Sequence, residues 1–282
     1  KRQLFNKEIS FKNLNLLIID EEHKFGVRQK EQIRSLKNGI NVISLSATPI
    51  PRTLNLSLSK VRDISLITTP PTGRKSVKTI VSRYSKSLVF EAIQREFYRD
   101  GQVFYLLNNV SMLEEKKKEI SDRFPGKKIA FAHGQLRPKE LSKVMESFIR
   151  KEIDLLVCTT IIESGIDIEN ANTLIVEESE NYGLSQLHQI RGRVGRSKRE
   201  AYAYFFLNEN KELKNKASER IEALQENESL LSGFSLAMRD LEIRGAGELL
   251  GEKQSGPIDV VGLTLFSKMI ESAITVSYTH LT

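Results

Sequence analysis

An apolar run, Leu16-Leu17-Ile18-Ile19, ends in Asp20-Glu21-Glu22-His23. Carboxylates at the exit of a buried strand lie where ligands collect in an open α/β sheet. There Asp20 can hold Mg²⁺ through water, since that ion keeps much of its hydration shell. Glu21 can orient and deprotonate an attacking water. His23 can sense the same ligand through hydrogen bonds, although a lone histidine is more often structural. The plainer alternative for the whole tetrad is an exposed acidic loop after a core strand. A second apolar run exits into Ser46-Ala47-Thr48-Pro49, where small hydroxyl residues permit close packing and hydrogen bonds to a neighbouring loop. Alone, this second block reads as a helix start with Thr48 as N-cap. A third cluster is Gln189-Ile190-Arg191-Gly192-Arg193-Val194-Gly195-Arg196. Arg193 and Arg196 share a face if the segment is helical, and the glycines allow close backbone approach. Thr159 and Thr160 follow the run Ile153–Cys158 and can donate to a phosphate without reading sequence.

The elements that must position these groups alternate along the chain. β-rich apolar runs are expected at Leu14–Ile19, Asn41–Ser46, Ile64–Thr68, Thr79–Tyr84, Gln102–Leu107, Lys128–Ala132, Ile153–Cys158, Thr173–Val176 and Ala201–Leu207. Helices are expected near Val27–Lys37, Lys86–Arg99, Met112–Arg123, Pro138–Arg150 and Leu184–Val194, with Pro138 at a first-turn position. Strands apolar throughout, with helices between them, predict parallel sheets covered on both faces. Thr68-Thr69-Pro70-Pro71-Thr72-Gly73-Arg74 interrupts the alternation and reads as a linker. The charged run Glu114–Lys118 is expected to be a solvated helix face. Lys211–Glu228 favours helix, and Gly233–Gly256 is glycine-dense and irregular.

Four blocks in this order resemble superfamily 2 helicases and translocases. Asp20–His23 resembles motif II, Ser46–Thr48 motif III, Cys158–Ile168 motif V and Gln189–Arg196 motif VI. Gly233–Gly256 is similar to the TRG motif shared by RecG and the transcription-repair coupling factor Mfd. Asp-Glu-Glu-His, Ala171-Asn172-Thr173, Arg196-Ser197 and Arg244-Gly245-Ala246-Gly247 lean toward the coupling-factor branch.

The resemblance implies RecA-like domains that bind ATP between them. Residues 1–68 would form the end of a first domain, 69–78 a linker, 79–208 a second domain, 209–272 the TRG helical hairpin and loop, and 273–282 a tail, a candidate non-native addition. An arginine reaching across the cleft would neutralise the departing γ-phosphate, a role expected first of Arg196 and next of Arg193. Asp20, Gln189, Gly165 and Asp167 would contact nucleotide, with Gln189 helping to hold the cleft closed. His23, Ser46, Thr48, Arg244 and Gln254 would couple turnover to movement. Thr159, Thr160, His133 and Gln135 would face DNA; for His133-Gly134-Gln135 an ordinary turn is the alternative. The partners implied are double-stranded DNA and, through regions upstream of this segment, RNA polymerase and the excision-repair protein UvrA. The function implied is displacement of stalled polymerase and its coupling to nucleotide excision repair. The rivals are a RecG-like fork remodeller, a related RNA helicase and a catalytically inactive DNA-binding fragment.

Composition narrows the classes. The chain has 282 residues and a formal net charge of +7, so a polyanionic partner is plausible from charge but not required by it. Cys158 is the single cysteine, which excludes an internal disulfide or a thiolate zinc cluster and fits a reducing cytoplasm. No run approaches the ~20 apolar residues of a membrane span. No Gly-x-x-x-x-Gly-Lys-Ser/Thr phosphate loop is present. The 282-residue chain alone is therefore expected to hydrolyse ATP poorly.

Overall fold

The computed structural model describes residues 13–21, 25–26, 28–29, 33, 40–46, 65–67, 69, 75–159, 168–209, 215–226, 236, 239–240 and 243. Its first sheet pairs β1 (Leu16–Asp20) with β2 (Asn41–Leu45) in parallel, with Asp20 opposite Leu45. Arg28, Gln29 and Ile33, between the strands, are helical, as a parallel crossover requires. Ile19 and Ile33 are buried, whereas Ile18 and Ile43, paired in register, are about half exposed (57% and 48%).

The second sheet has six parallel strands in the order β3-β8-β7-β4-β6-β5. They are β3 (Val77–Arg83), β4 (Gln102–Leu106), β5 (Ile129–Ala132), β6 (Leu155–Cys158), β7 (Ala171–Val176) and β8 (Ala201–Leu207). The connecting helices are α1 (Lys86–Tyr98), α2 (Leu113–Arg123), α3 (Pro138–Ile149) and α4 (Leu184–Arg191), followed by α5 (Asn215–Glu226).

Side chains alternate across the strands and so feed two cores. Phe104, Leu106, Leu156, Leu174 and Phe205 join one cluster, which also takes Phe148 of α3, Leu187 of α4 and Leu224 of α5. Val103, Tyr105, Val157, Ile175 and Phe206 join the other, with Ile93 of α1 and Ile120 of α2. This is the parallel sheet with helices on both faces that the apolar runs predict, and it agrees with the RecA-like domain that the resemblance implies. All seven residues of β8 are buried, which explains why that run lacks a polar face. In α1 the buried positions Val89, Ala92, Ile93 and Glu96 follow helical spacing. Glu96, fully buried, is held by the guanidinium of Arg99 and the hydroxyl of Thr173, which ties α1 to β7.

Two expectations need correction. Ser65–Ile67 is irregular rather than strand, and Leu66 and Ile67 are exposed. Pro70 and Pro71 follow at once, and proline cannot donate to a ladder. The run Glu114–Lys118 is not wholly solvated. Lys116 points inward, with only 11% of its side chain exposed, and its ammonium lies 3.1 Å from Glu177 and 2.9 Å from Glu119. Tyr105 donates its hydroxyl to the same Glu177 carboxylate. Burial beside that carboxylate pushes the Tyr105 phenol well above its ordinary range. Helical periodicity brings position 116 onto the sheet while Glu114, Glu115 and Lys118 stay outside.

Removing one partner of a buried ion pair leaves an uncompensated charge. Lys116→Ala is therefore expected to destabilise the fold by about 3 kcal/mol, and Lys118→Ala by less than about 0.5 kcal/mol. Urea unfolding of the two variants checks the difference; equal midpoints would return Lys116 to the solvated face.

Candidate functional site

At the exit of β1 the chain turns sharply. Glu21 has φ 52°, in the left-handed region, and its N–H donates to Leu45 O at 2.9 Å. A non-glycine residue there costs of order 1 kcal/mol and persists only where its surroundings hold it. Ser46, directly after β2, lies with its hydroxyl 3.4 Å from the Glu21 carboxylate. The motif II and motif III blocks thus meet side chain to side chain. Asp20 is exposed at the same edge. His23 and Thr48 lie outside the described residues.

The second sheet separates its candidate residues onto opposite edges. Thr159 follows the last residue of β6 and His133 the last residue of β5, so both sit at the carboxyl edge. Thr159 N–H donates to Ala132 O at 3.3 Å, which brings the two exits together. His133 stacks on Phe131, with centroids 6.0 Å apart and planes 4° from parallel. Gln135 is exposed in the turn closed by Leu136 N–H to His133 O, 3.1 Å, just before α3. That helix opens on Pro138 at its first turn.

The arginine block lies at the amino edge. Here the expectation of a shared helical face fails, because α4 ends at Arg191. Gly192 caps the helix, and Gly195 adopts φ 73°. Gly195 N–H meets Ala171 O, the first residue of β7, at 3.4 Å. A Cβ on Gly195 would come within 2.9 Å of Ala201 Cβ and 3.0 Å of Val77 Cγ2, the first residues of β8 and β3. Arg193 and Arg196 are therefore presented by a tight loop against three strand starts, both partly buried. Ile168, the residue after Asp167, is fixed at this edge by Ala171 N–H, 3.3 Å. Gln189 is partly buried on α4. Thr160, Gly165, Asp167, Arg244 and Gln254 lie outside the described residues.

Two features escaped the sequence. Arg191 is 4% exposed and bridges elements: its guanidinium donates to Thr79 Oγ1 at 3.3 Å, to Leu224 O of α5 at 3.0 Å and to His188 Nδ1 at 3.1 Å. Burial, and then the Arg191 charge, push the His188 pKa down to about 4. The ring is thus neutral near pH 7, with Nδ1 as acceptor. Spacing alone cannot separate this inward arginine from its neighbours, because helix face and loop begin one residue apart. The second feature is the cluster of Tyr105, Lys116 and Glu177 behind the exit of β7. Its members are scattered over 73 positions of sequence, so only the fold brings them together. Among the described residues no group of histidine, cysteine or acidic side chains could hold a metal by itself, and no helix is long and apolar enough to cross a membrane.

Comparisons with known proteins bear on the fold and on the sequence as a whole. Residues 86–198 match the family model of the helicase conserved C-terminal domain, and residues 2–56 that of the DEAD/DEAH box helicases. The transcription-repair-coupling factor of Staphylococcus aureus (strain USA300) is 53% identical over 272 residues, which is 96% of this chain and 23% of that protein. The chain thus spans about a quarter of the curated relatives it matches. Among solved structures, RecG bound to a three-way DNA junction aligns with TM-score 0.71 and 34% identity, over 96% of this chain and 35% of that one. Dbp5 of S. cerevisiae, bound to RNA and ADP BeF3, aligns with TM-score 0.57 at 16% identity over 80% of this chain and 59% of that one, and so shares the fold. By sequence and by fold, the chain corresponds to one segment of the transcription-repair-coupling factors and carries the domains of a superfamily 2 helicase.

Proposed function

We propose that this chain is the motor segment of an ATP-dependent double-stranded DNA translocase. In the intact protein the motor would displace stalled RNA polymerase and couple transcription to nucleotide excision repair. The observation that supports this most is the division of the second sheet. Arginines stand at its amino edge and residues able to donate hydrogen bonds to phosphate at its carboxyl edge, with a parallel sheet between. Strands of 4–7 residues separate the edges by roughly 13–23 Å. Closure driven at one edge would reach the other as rigid-body motion, a hinge-type transition.

The residues fit ATP and Mg²⁺. Asp20 is an exposed hard oxygen donor at a strand exit and would hold the ion through water. Bound there, Mg²⁺ would supply neutralisation of the β- and γ-phosphate oxygens. Glu21 would orient the attacking water and take its proton. Arg196, with Arg193 beside it, would stabilise charge on the phosphoryl oxygens, and Gln189, Gly165 and Asp167 would complete the nucleotide contacts. Ser46, bonded to Glu21, would report the state of the site, with His23 and Thr48. Thr159, Thr160, His133 and Gln135 would grip the DNA backbone, and Arg244 and Gln254 would couple turnover to stepping. RNA polymerase and UvrA would bind through parts of the intact protein outside this segment, in the cytoplasm. The division at residues 68, 78, 208 and 272 follows this reading. With no phosphate loop in its 282 residues, the segment alone would turn over ATP poorly.

The similarity to RecG makes a fork remodeller the specific rival. Substrate choice separates the two in the protein extended to the length of its relatives. ATP-dependent displacement of a stalled polymerase from linear duplex, with little unwinding of forked or four-way DNA, is expected. The reverse preference would favour the rival. Duplex affinity should fall as salt rises, since phosphate contacts release counterions; salt-independent binding would contradict backbone gripping.

A further inference from the structure

The arginine loop is fastened by a pair of side chains to which no chemical step has been given. Asn172, the second residue of β7, is fully buried. Its Nδ2 donates to Asn170 O at 3.1 Å, and its Oδ1 accepts the hydroxyl of Ser197 at 2.8 Å. Ser197 Oγ in turn accepts Arg199 N–H at 3.3 Å. One residue earlier on β7 and two residues earlier on the loop, Gly195 N–H meets Ala171 O. Arg196 is therefore bracketed: the residues on either side of it are tied to successive residues at the start of β7. The same amide reaches Asn170, three positions after Asp167, so it joins the turn that follows the motif V segment to the arginine loop.

We propose that Asn172 and Ser197 form a clamp that positions Arg196 for phosphoryl transfer. The proposal rests on the nucleotide-binding role given to Arg196 above. A loop ending in a long flexible side chain needs its backbone fixed if the guanidinium is to meet charge that exists only in the transition state. Ser197 does not touch the reacting atoms in this scheme. Its loss would misplace the arginine without removing it, and a displacement of about 1 Å can cost as much as 10²-fold in rate.

The test uses the protein at the full length of its relatives. Ser197→Ala should lower kcat for DNA-stimulated ATP hydrolysis about tenfold. KM for ATP and duplex affinity should stay unchanged, and Tm should move by less than about 3 °C. Ser197→Thr, which keeps the hydroxyl, should restore kcat. In an Asn172→Ala background, Ser197→Ala should add nothing further. A Ser197→Ala protein with wild-type kcat, where Arg196→Ala has collapsed turnover, overturns the clamp alone. So does a loss of kcat that tracks lowered Tm and that Thr does not rescue. Turnover unaffected by Arg196→Ala overturns the nucleotide-site reading, and the clamp falls with it.

Discussion

Replacing Glu21 by glutamine should lower ATP turnover about 10³-fold while duplex binding survives. The side chain keeps its size and its place. Glu21 is fixed by a left-handed backbone and by the N–H bond to Leu45 O, neither of which depends on the carboxylate charge. The amide can still accept from Ser46, whose hydroxyl lies 3.4 Å from the native carboxylate. What is lost is the group able to take a proton from water. The measurement is steady-state ATPase with and without duplex DNA, alongside DNA affinity, in the protein carrying its phosphate loop. Turnover within about threefold of wild type would remove Glu21 from the chemistry.

The second large effect concerns the other lobe. Arg196→Ala should cost about 10³–10⁵ in kcat, the range for a finger arginine in related phosphoryl transfers. KM for ATP should change little, because an interaction made only in the transition state lowers kcat and kcat/KM together. Gly195 seats the loop directly on the strand starts, where a Cβ would strike Ala201 and Val77. Arg191→Ala should behave differently. That guanidinium is buried on Thr79 and Leu224 O, and removing it loosens α4 from β3 and α5. A loss of stability rather than a pure loss of kcat is expected from it. Single-turnover ATPase and thermal unfolding of both variants separate a charge that meets the phosphate from one that holds the fold. If Arg196→Ala unfolds the protein and Arg191→Ala abolishes only turnover, the two assignments are reversed.

Much of this architecture was legible because its signals are local. β8 matches the apolar run Ala201–Leu207 residue for residue, and α3 begins at Pro138. Parallel strands buried on both faces read as plain apolar runs, and helices betray themselves by period. Local signals fail where a partner is distant. Lys116 looks like one lysine of a solvated run until Tyr105 and Glu177 are seen behind it. Ile64–Thr68 has the composition of a strand, and the prolines after it decide the matter. The arginine block stands out by its residue types but not by its geometry: the helix ends at Arg191 with Gly192 as its cap, so Arg193 and Arg196 leave it on a loop. Asn172 and Ser197 stood out in the sequence only as marks of one branch of the family, and the fold shows that they bond to each other. That the arginines and Thr159 occupy opposite sheet edges follows from topology, which spacing does not encode.

The central claim is that a carboxylate from one lobe and a guanidinium from the other act on one phosphoryl group. The double variant Glu21→Gln/Arg196→Ala tests it most directly, by kcat against both single variants. Groups that work as a unit are strongly non-additive, so the double variant should be no slower than the slower single variant by more than about threefold. Losses that multiply in full would mean that the two residues serve separate steps, and would contradict a shared site.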